Sequence, residues 1–208
     1  YPFAAAAFIH ALQHVPPNAA CTFTLREGRP SQVIHDVVTR ESQLGILFLS
    51  HMNARFLKDL FHKNKLEFTP LCAFTPCLYV RSGHPLAEFS HVVPGQFSSY
   101  PCVRFEQGHD KSQFSEELLL PNRASRQCIY VTDRSTLFSV IRSTDAYTIG
   151  TGHVAPSIIG RHIQAIPIEN PLDTMTVGWI KIAGEPLLEE ARHYITILAG
   201  LLEGREHG

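Results

Sequence analysis

Apolar positions follow two periods along this chain, and stretches of one alternate with stretches of the other. Pro2–Val15 is apolar at 3–9, 11, 12 and 15, is interrupted only by His10, Gln13 and His14, and stops at Pro16-Pro17. This spacing predicts a helix apolar nearly all round, which must be covered on more than one side. The small residues at 4–7 would let another element approach closely, under a sheet of this chain or on the surface of a partner chain. Cys21–Leu25 alternates Thr22 and Thr24 against Phe23 and Leu25, the pattern of a half-buried strand closed by Glu27-Gly28. A helix over Ser31–Glu41 puts Val33, Ile34, Val37 and Val38 on one face. Leu44–Leu49 is an unbroken apolar run of strand length, as expected of a parallel strand covered on both faces. Asn53–His62 returns to helical spacing with Asn53 as N-cap, and Leu66–Phe74 is extended. Together these predict β-α-β-α-β and a parallel doubly wound sheet.

A crossing follows. Cys77–Val80 is a short strand between Pro76 and the turn residues Ser82, Gly83 and Pro85, with Pro85 pushing His84 out of helical conformation. The pattern then restarts on a smaller scale. Strands are expected over Tyr100–Phe105, Gln127–Val131, Tyr147–Gly150, Ile163–Ile168 and Met175–Ile182. Helices are expected over Phe114–Leu120 and Ser135–Ser143, with a helical turn over Ile158–His162. The last helix starts at Pro186 and has a stripe of Leu187, Leu188, Ala191, Ile195, Leu198 and Leu202.

Composition narrows the classes. A chain of 208 residues is long enough for two lobes of about 100 residues each. Its net charge of -1 gives no drive to bind nucleic acid, and no apolar run approaches the roughly 18 residues of a membrane helix. Ala4–Ile9 has no basic segment before it, so no secretory signal is expected, and the sequence starts at Tyr1 without a Met. Five cysteines, an odd number lying mostly in expected strands, read as buried free thiols of a reducing, cytoplasmic compartment. No metal site is expected among the twelve histidines, for want of a His-x-x-x-His pair on one helix face, and no cofactor is expected.

Several segments together resemble a known family. Gly83-His84-Pro85-Leu86-Ala87 resembles the signature after the first crossover strand of LysR-type transcriptional regulators. Thr24-Leu25-Arg26-Glu27-Gly28 is similar to that family's second strand and turn, and Tyr100-Pro101-Cys102-Val103 to a later strand. Val131-Thr132-Asp133 through Thr151 resembles the second lobe's strand-helix-strand, and Val177-Gly178-Trp179 with the last helix resembles the family's C-terminal elements. Leu44-Gly45-Ile46-Leu47-Phe48 departs from the family pattern, with Gly45 in place of an acidic residue. The resemblance covers nearly the whole chain. It implies an α/β fold of two Rossmann-like lobes joined by two crossover strands, like type 2 periplasmic binding proteins. Lobe I would be 1–80 with 167–208, and lobe II 81–166. The family's N-terminal winged helix-turn-helix and the first strand of lobe I are absent from the sequence.

The implied function is sensing. A small effector metabolite, expected to be anionic, binds in the inter-lobe cleft and the domain dimerises, with the first helix against the partner's second lobe. A tetramer is a further expectation for the full-length protein, and DNA is contacted only through the absent N-terminal domain. Ligands in such sheets bind beyond the carboxyl ends of strands. This selects Ser50 and His51 after 44–49, Phe105 with Glu106 and Gln107, and Arg134, Ser135 and Thr136 after Asp133. Thr151, between Gly150 and Gly152, completes the set. Arg104 and Arg134 read equally as ligand partners or as surface charge, and Asp133 or Ser135 also reads, with the better case, as the N-cap of the following helix. Two alternatives are open: a solute-binding protein with the same fold, or a small-molecule enzyme. The enzyme has the weaker case. No Gly-x-Ser-x-Gly or His-Glu-x-x-His occurs, and Cys102 with a His such as His109 would imitate a nucleophile pair from inside a strand.

Overall fold

The computed structural model describes residues 1–106, 125–153, 161–171 and 174–204. The helices are α1 Pro2–Gln13, α2 Pro30–Val38, α3 His51–Lys63, α4 Pro94–Phe97, α5 Arg134–Ser143 and α6 Glu189–Leu202. The strands are β1 Gly45–Leu49, β2 Leu66–Phe74, β3 Cys77–Arg81, β4 Cys102–Phe105, β5 Cys128–Val131, β6 Thr148–Gly150, β7 Ile163–Pro167 and β8 Met175–Ile182. The chain divides into two compact units. One is Tyr1–Leu49 with Arg55–Cys72 and Thr176–Gly208, the other Ser50–Ala54 with Ala73–Met175. The divide falls ahead of Ala73, where the sequence reading puts it after residue 80, because β3 is bonded along both edges to strands of the second unit.

In the first unit the sheet order is β1-β8-β2. β8 runs antiparallel to β1, from Gly45 opposite Ile180 to Leu49 opposite Thr176. The expected all-parallel sheet is therefore corrected: β1 and β2 are separated by a strand from the far end of the sequence. A continuous apolar run reports cover on two faces, and a strand of either direction meets that condition. β2 is an edge strand, which suits its Pro70. Gly45 sits under α2, where a β-carbon would stand 2.5 Å from Val33 Cγ1 and 3.2 Å from Ile180 Cγ1. The departure from an acidic residue at this position thus has a packing cause. α1 lies against α6, and the buried Tyr194 hydroxyl donates to Ala4 C=O at 3.2 Å. Phe3, Ala4, Ala5 and Ala7 are buried, while Ile9 and Leu12 remain 48% and 39% exposed.

Three boundaries differ from expectation. Cys21–Leu25 forms no strand, and only Phe23 in it is even half-buried. Its alternation calls for a neighbouring strand, and no described strand pairs with it. α1 ends at Gln13, two residues early, in a tightened turn where His14 and Val15 N–H donate to Ala11 and Leu12 C=O. α6 begins at Glu189 with Leu188 as N-cap, so Pro186 precedes the helix. The helix expected over Phe114–Leu120 and most of the turn over Ile158–His162 lie outside the described residues.

In the second unit β3 is the centre of a β6-β3-β7 sheet, antiparallel to both neighbours. Its alternate side chains enter two cores. Leu78 and Val80 pack with Leu86, Val92, Phe97 and Ile166, while Cys77 and Tyr79 pack with Val103, Leu137, Phe138 and Ile141. The β4–β5 pair is parallel and joins β6 through a Cys102–Tyr147 bridge, with Val103 N–H donating to Tyr147 C=O at 2.7 Å. The Gly83–Ala87 signature closes this unit through His84, whose role is structural. Its ring is buried, lies 4.6 Å from that of Tyr100, and holds backbone groups at both nitrogens.

Candidate functional site

The registers of the second unit align three strand ends. Phe105 is opposite Val131, and the Cys102–Tyr147 bridge sets β6 parallel to β4. Glu106 after β4, Thr132-Asp133 after β5 and Thr151 after β6 therefore share one sheet edge. β3 runs against β6 and starts at this same edge, with Cys77 opposite Gly150. This is the edge where open α/β sheets receive ligands.

Packing fixes the turn after β6. A β-carbon on Gly150 would stand 2.7 Å from the Tyr79 ring, and Gly152 combines φ +80° with a β-carbon position 2.7 Å from Cys77 Sγ. Glycine is needed at both sites, for close approach at the first and for backbone conformation at the second. Thr151, held between them, is buried, and its Oγ1 accepts a long bond from His153 N–H at 3.4 Å. The Tyr79 hydroxyl donates to His153 C=O at 3.3 Å, and the Phe74 and His153 rings lie 5.3 Å apart.

The start of α5 is occupied by its own cap. Asp133 accepts from Thr136 N–H at 2.8 Å and from Thr136 Oγ1 at 2.7 Å. Those two donors hold its pKa below the usual carboxylate range. The hydroxyl of Thr136 is thus committed, and a carboxylate already faces the positive end of the helix. Ser135 and Thr136 are exposed, and Arg134 is half-buried. Phe105, at the end of β4, is 38% exposed.

The start of α3 is different. Asn53, expected as N-cap, lies inside the helix and reaches back so that its Oδ1 accepts from Ser50 N–H at 2.7 Å. Ser50 C=O accepts from Ala54 N–H at 2.9 Å. The Ser50 hydroxyl, in a residue 4% exposed, has no hydrogen-bond partner among the described residues. No acidic residue stands in the first turn of α3. A buried polar atom without a partner costs about 1–3 kcal/mol, so the site suits an incoming polar group. His51 is exposed at the first helical position.

All seven expected residues fall within the second unit, since Ser50–Ala54 groups with it. The sequence reading missed Asn53's inward role, Tyr79 and His153. A Ser-x-x-Asn spacing at the helix start was a legible signal for the first. Nothing in the sequence pairs Tyr79 with His153, 74 positions away. The reading also missed a His-x-x-x-His pair: His10 and His14 stand four apart at the end of α1, with ring centroids 5.0 Å apart. Even so, no group of three metal-ligating side chains that could hold an ion occurs among the described residues.

The sequence matches the family model of the LysR substrate binding domain over residues 6–202. The chain belongs to that family. Its fold is accordingly the type 2 periplasmic-binding-protein-like one of LysR effector-binding domains. The effector-binding domain of QuiR, solved in complex with shikimate, is similar at a TM-score of 0.64 and 15% identity. That likeness covers 100% of this chain and 94% of that one. The reduced form of OxyR is similar at a TM-score of 0.64 and 16% identity, covering 99% of this LysR domain and 92% of that chain. HinK, a LysR regulator from Pseudomonas aeruginosa, is similar at 0.59 and 13% identity, covering 95% of this chain and 64% of HinK. No curated protein matches the sequence. The family is the ligand-binding part of transcriptional regulators and not an enzyme family. No helix among the described residues is long and apolar enough to cross a membrane.

Proposed function

We propose that this LysR domain senses a small carboxylate-bearing metabolite whose anionic group is received at the start of α3 by Ser50. The observation that carries this reading is the buried Ser50 hydroxyl without a partner among the described residues, at a helix start with no acidic residue in its first turn. The helix dipole favours an anion there, and the hydroxyl adds a donor without a fixed charge. Thr151 contributes a second hydroxyl, and Phe105, Arg134, Ser135 and His51 frame the remainder. The ligand shifts the domain towards the conformation for which it has the greater affinity. The domain is regulatory and carries out no chemistry of its own. The complex with shikimate in QuiR supports the ligand class, a small hydroxylated acid.

A thermal-shift screen of small organic acids tests this. A true ligand at ~100 times its dissociation constant adds roughly 2.7 kcal/mol of stability. Ser50→Ala should weaken binding by about tenfold to a hundredfold, the value of a hydrogen bond to a charged group. The same change should leave the unliganded melting temperature equal or higher, because the hydroxyl has no bond to lose among the described residues. A ligand that binds Ser50→Ala unchanged would place the site elsewhere.

The domain also dimerises in this reading, through the outer face of α1. Ile9 and Leu12 are exposed on a helix whose other face is already buried. Light scattering at micromolar concentration should give the mass of a dimer. Ile9→Glu with Leu12→Glu should give a monomer with little change in melting temperature. A wild-type monomer would remove this interface from the proposal. Contact with DNA belongs to the regulator's DNA-binding region, since the domain's net charge of -1 supplies no counterion-release drive.

A further inference from the structure

We propose that His10 and His14, at the C-terminal end of α1, chelate a divalent transition-metal ion of the nickel, copper and zinc class. The two residues stand four apart, so their rings leave the same face of the helix one turn from each other. Helical zinc motifs use histidines at this spacing. The separation of the rings fits a shared ion. A metal about 2.1 Å from a ring nitrogen lies about 3.2 Å from the ring centroid. Two rings whose bonds meet at the ion at about 90–110°, as octahedral and tetrahedral sites require, have centroids about 4.6–5.3 Å apart. Those of His10 and His14 are 5.0 Å apart, with the ring planes inclined at 59°. His193 of α6 is edge-on to His14 at 5.6 Å, just outside that range. No third His, Cys, Asp or Glu completes the set among the described residues, which leaves the other positions to water.

The ring nitrogens are in a state to ligate. The end of α1 tightens, with His14 N–H donating to Ala11 C=O, and the His14 ring turns its Nδ1 to His10 C=O at 2.9 Å. A carbonyl only accepts, so Nδ1 carries the proton and Nε2 of the neutral ring keeps its lone pair. A ring N–H held by a backbone carbonyl is also the usual support of a metal-bound imidazole. His14 is exposed, which leaves its ring open to an ion from solvent. His10 Nδ1 is buried and has no hydrogen-bond partner among the described residues. Capping of the helix end accounts for His14 but not for His10. A buried polar atom in that state is unfavourable, and an ion between the two rings supplies the partner it lacks.

Ligand chemistry sets the class of ion. Imidazole nitrogens suit nickel, copper and zinc, whereas magnesium and calcium take oxygen ligands that neither side chain offers. Around the helix His10 and His14 lie about 100° and 140° from Ile9, on the side of α6, so an ion there does not occupy the exposed Ile9 and Leu12. Metal binding is therefore independent of dimerisation and of the effector.

The test titrates Ni²⁺ into the whole domain, purified without an affinity tag and with the exposed thiols of Cys21 and Cys128 blocked by iodoacetamide. Calorimetry should show one Ni²⁺ per chain, and the melting temperature should rise with Ni²⁺ and not with Mg²⁺. His10→Gln and His14→Gln should each weaken binding by about tenfold or more, because each removes one bond of the chelate. His91→Gln, which removes the histidine facing Glu169, should leave binding unchanged. Electron paramagnetic resonance of the Cu²⁺-loaded domain gives a reading that no change in stability imitates. Its hyperfine pattern should report two imidazole nitrogens in the wild type and one in either α1 variant. No Ni²⁺ binding by the wild type, or binding that survives the loss of both α1 histidines, overturns the proposal. Loss of binding in His91→Gln does the same.

Discussion

Gly178→Ala is expected to cost about 3 kcal/mol of stability, at the upper end of overpacking penalties. Gly178 is the buried midpoint of β8, opposite Leu47 of β1. A β-carbon there would press inside van der Waals contact on the Phe68 ring and the Thr69 carbonyl oxygen of β2. The ring can shift only against Phe61, stacked on it at 6.0 Å, and the carbonyl belongs to the backbone of a neighbouring strand. Relief therefore requires β2 to move away from the centre of its own sheet. At about 2–4 °C per kcal/mol for a chain of this size, the melting temperature should fall by roughly 10 °C. Gly95→Ala is the control, since nothing lies within 4 Å of its β-carbon position in α4, and it should be neutral or slightly stabilising. Equal melting temperatures for the two variants would show that β2 does not pack against Gly178.

The same strand shows what the sequence could and could not convey. Met175–Ile182 was legible to the residue, because an apolar run with β-branched and aromatic members fits a buried strand whatever its neighbours. Its place between β1 and β2, and its direction, were not legible, since periodicity reports which faces are covered and not which strand lies alongside. Cys21–Leu25 is the converse case, a correct local alternation that forms no ladder because a strand exists only with a partner. At the candidate site, strand ends were readable, and Ser50 and Thr151 followed from them. The rest depends on rotamers. Asp133 takes both donors of Thr136, while Asn53 bonds the Ser50 backbone and leaves the Ser50 hydroxyl without a partner among the described residues. Two helix starts that look alike in sequence thus differ in charge and in free hydroxyls, and side-chain conformation separates them.

The stability of the second unit should fall as pH drops below about 6.5, and His84 should account for a measurable part of the fall. The ring is 1% exposed, and its Nδ1 accepts from Leu86 N–H at 3.0 Å, which requires that nitrogen to be unprotonated. Nε2 donates to Asp145 C=O at 3.1 Å and carries the one proton. A second proton would have to displace the Leu86 N–H bond inside the core. Burial, first, and the Arg81 guanidinium hold the His84 pKa below its usual value, while the Asp145 carbonyl and carboxylate oppose them without prevailing. The sign follows from linkage. Above the unfolded-state pKa of about 6.5 both states are neutral and the contribution is whole. Below it the unfolded chain binds a proton that the folded one refuses, so stability declines by up to about 1.4 kcal/mol per pH unit, until the depressed folded pKa is passed. Eleven other histidines add their own pH dependence, so the readout is the difference between wild type and His84→Phe. The variant keeps a ring against Tyr100 but leaves Leu86 N–H and Asp145 C=O without partners, a loss of about 2 kcal/mol at pH 8. That gap should narrow towards pH 5, because only the wild type loses the His84 contribution on acidification. Parallel curves between pH 8 and pH 5 would mean that His84 is protonated in the folded domain, and that the Nδ1 bond to Leu86 is not made.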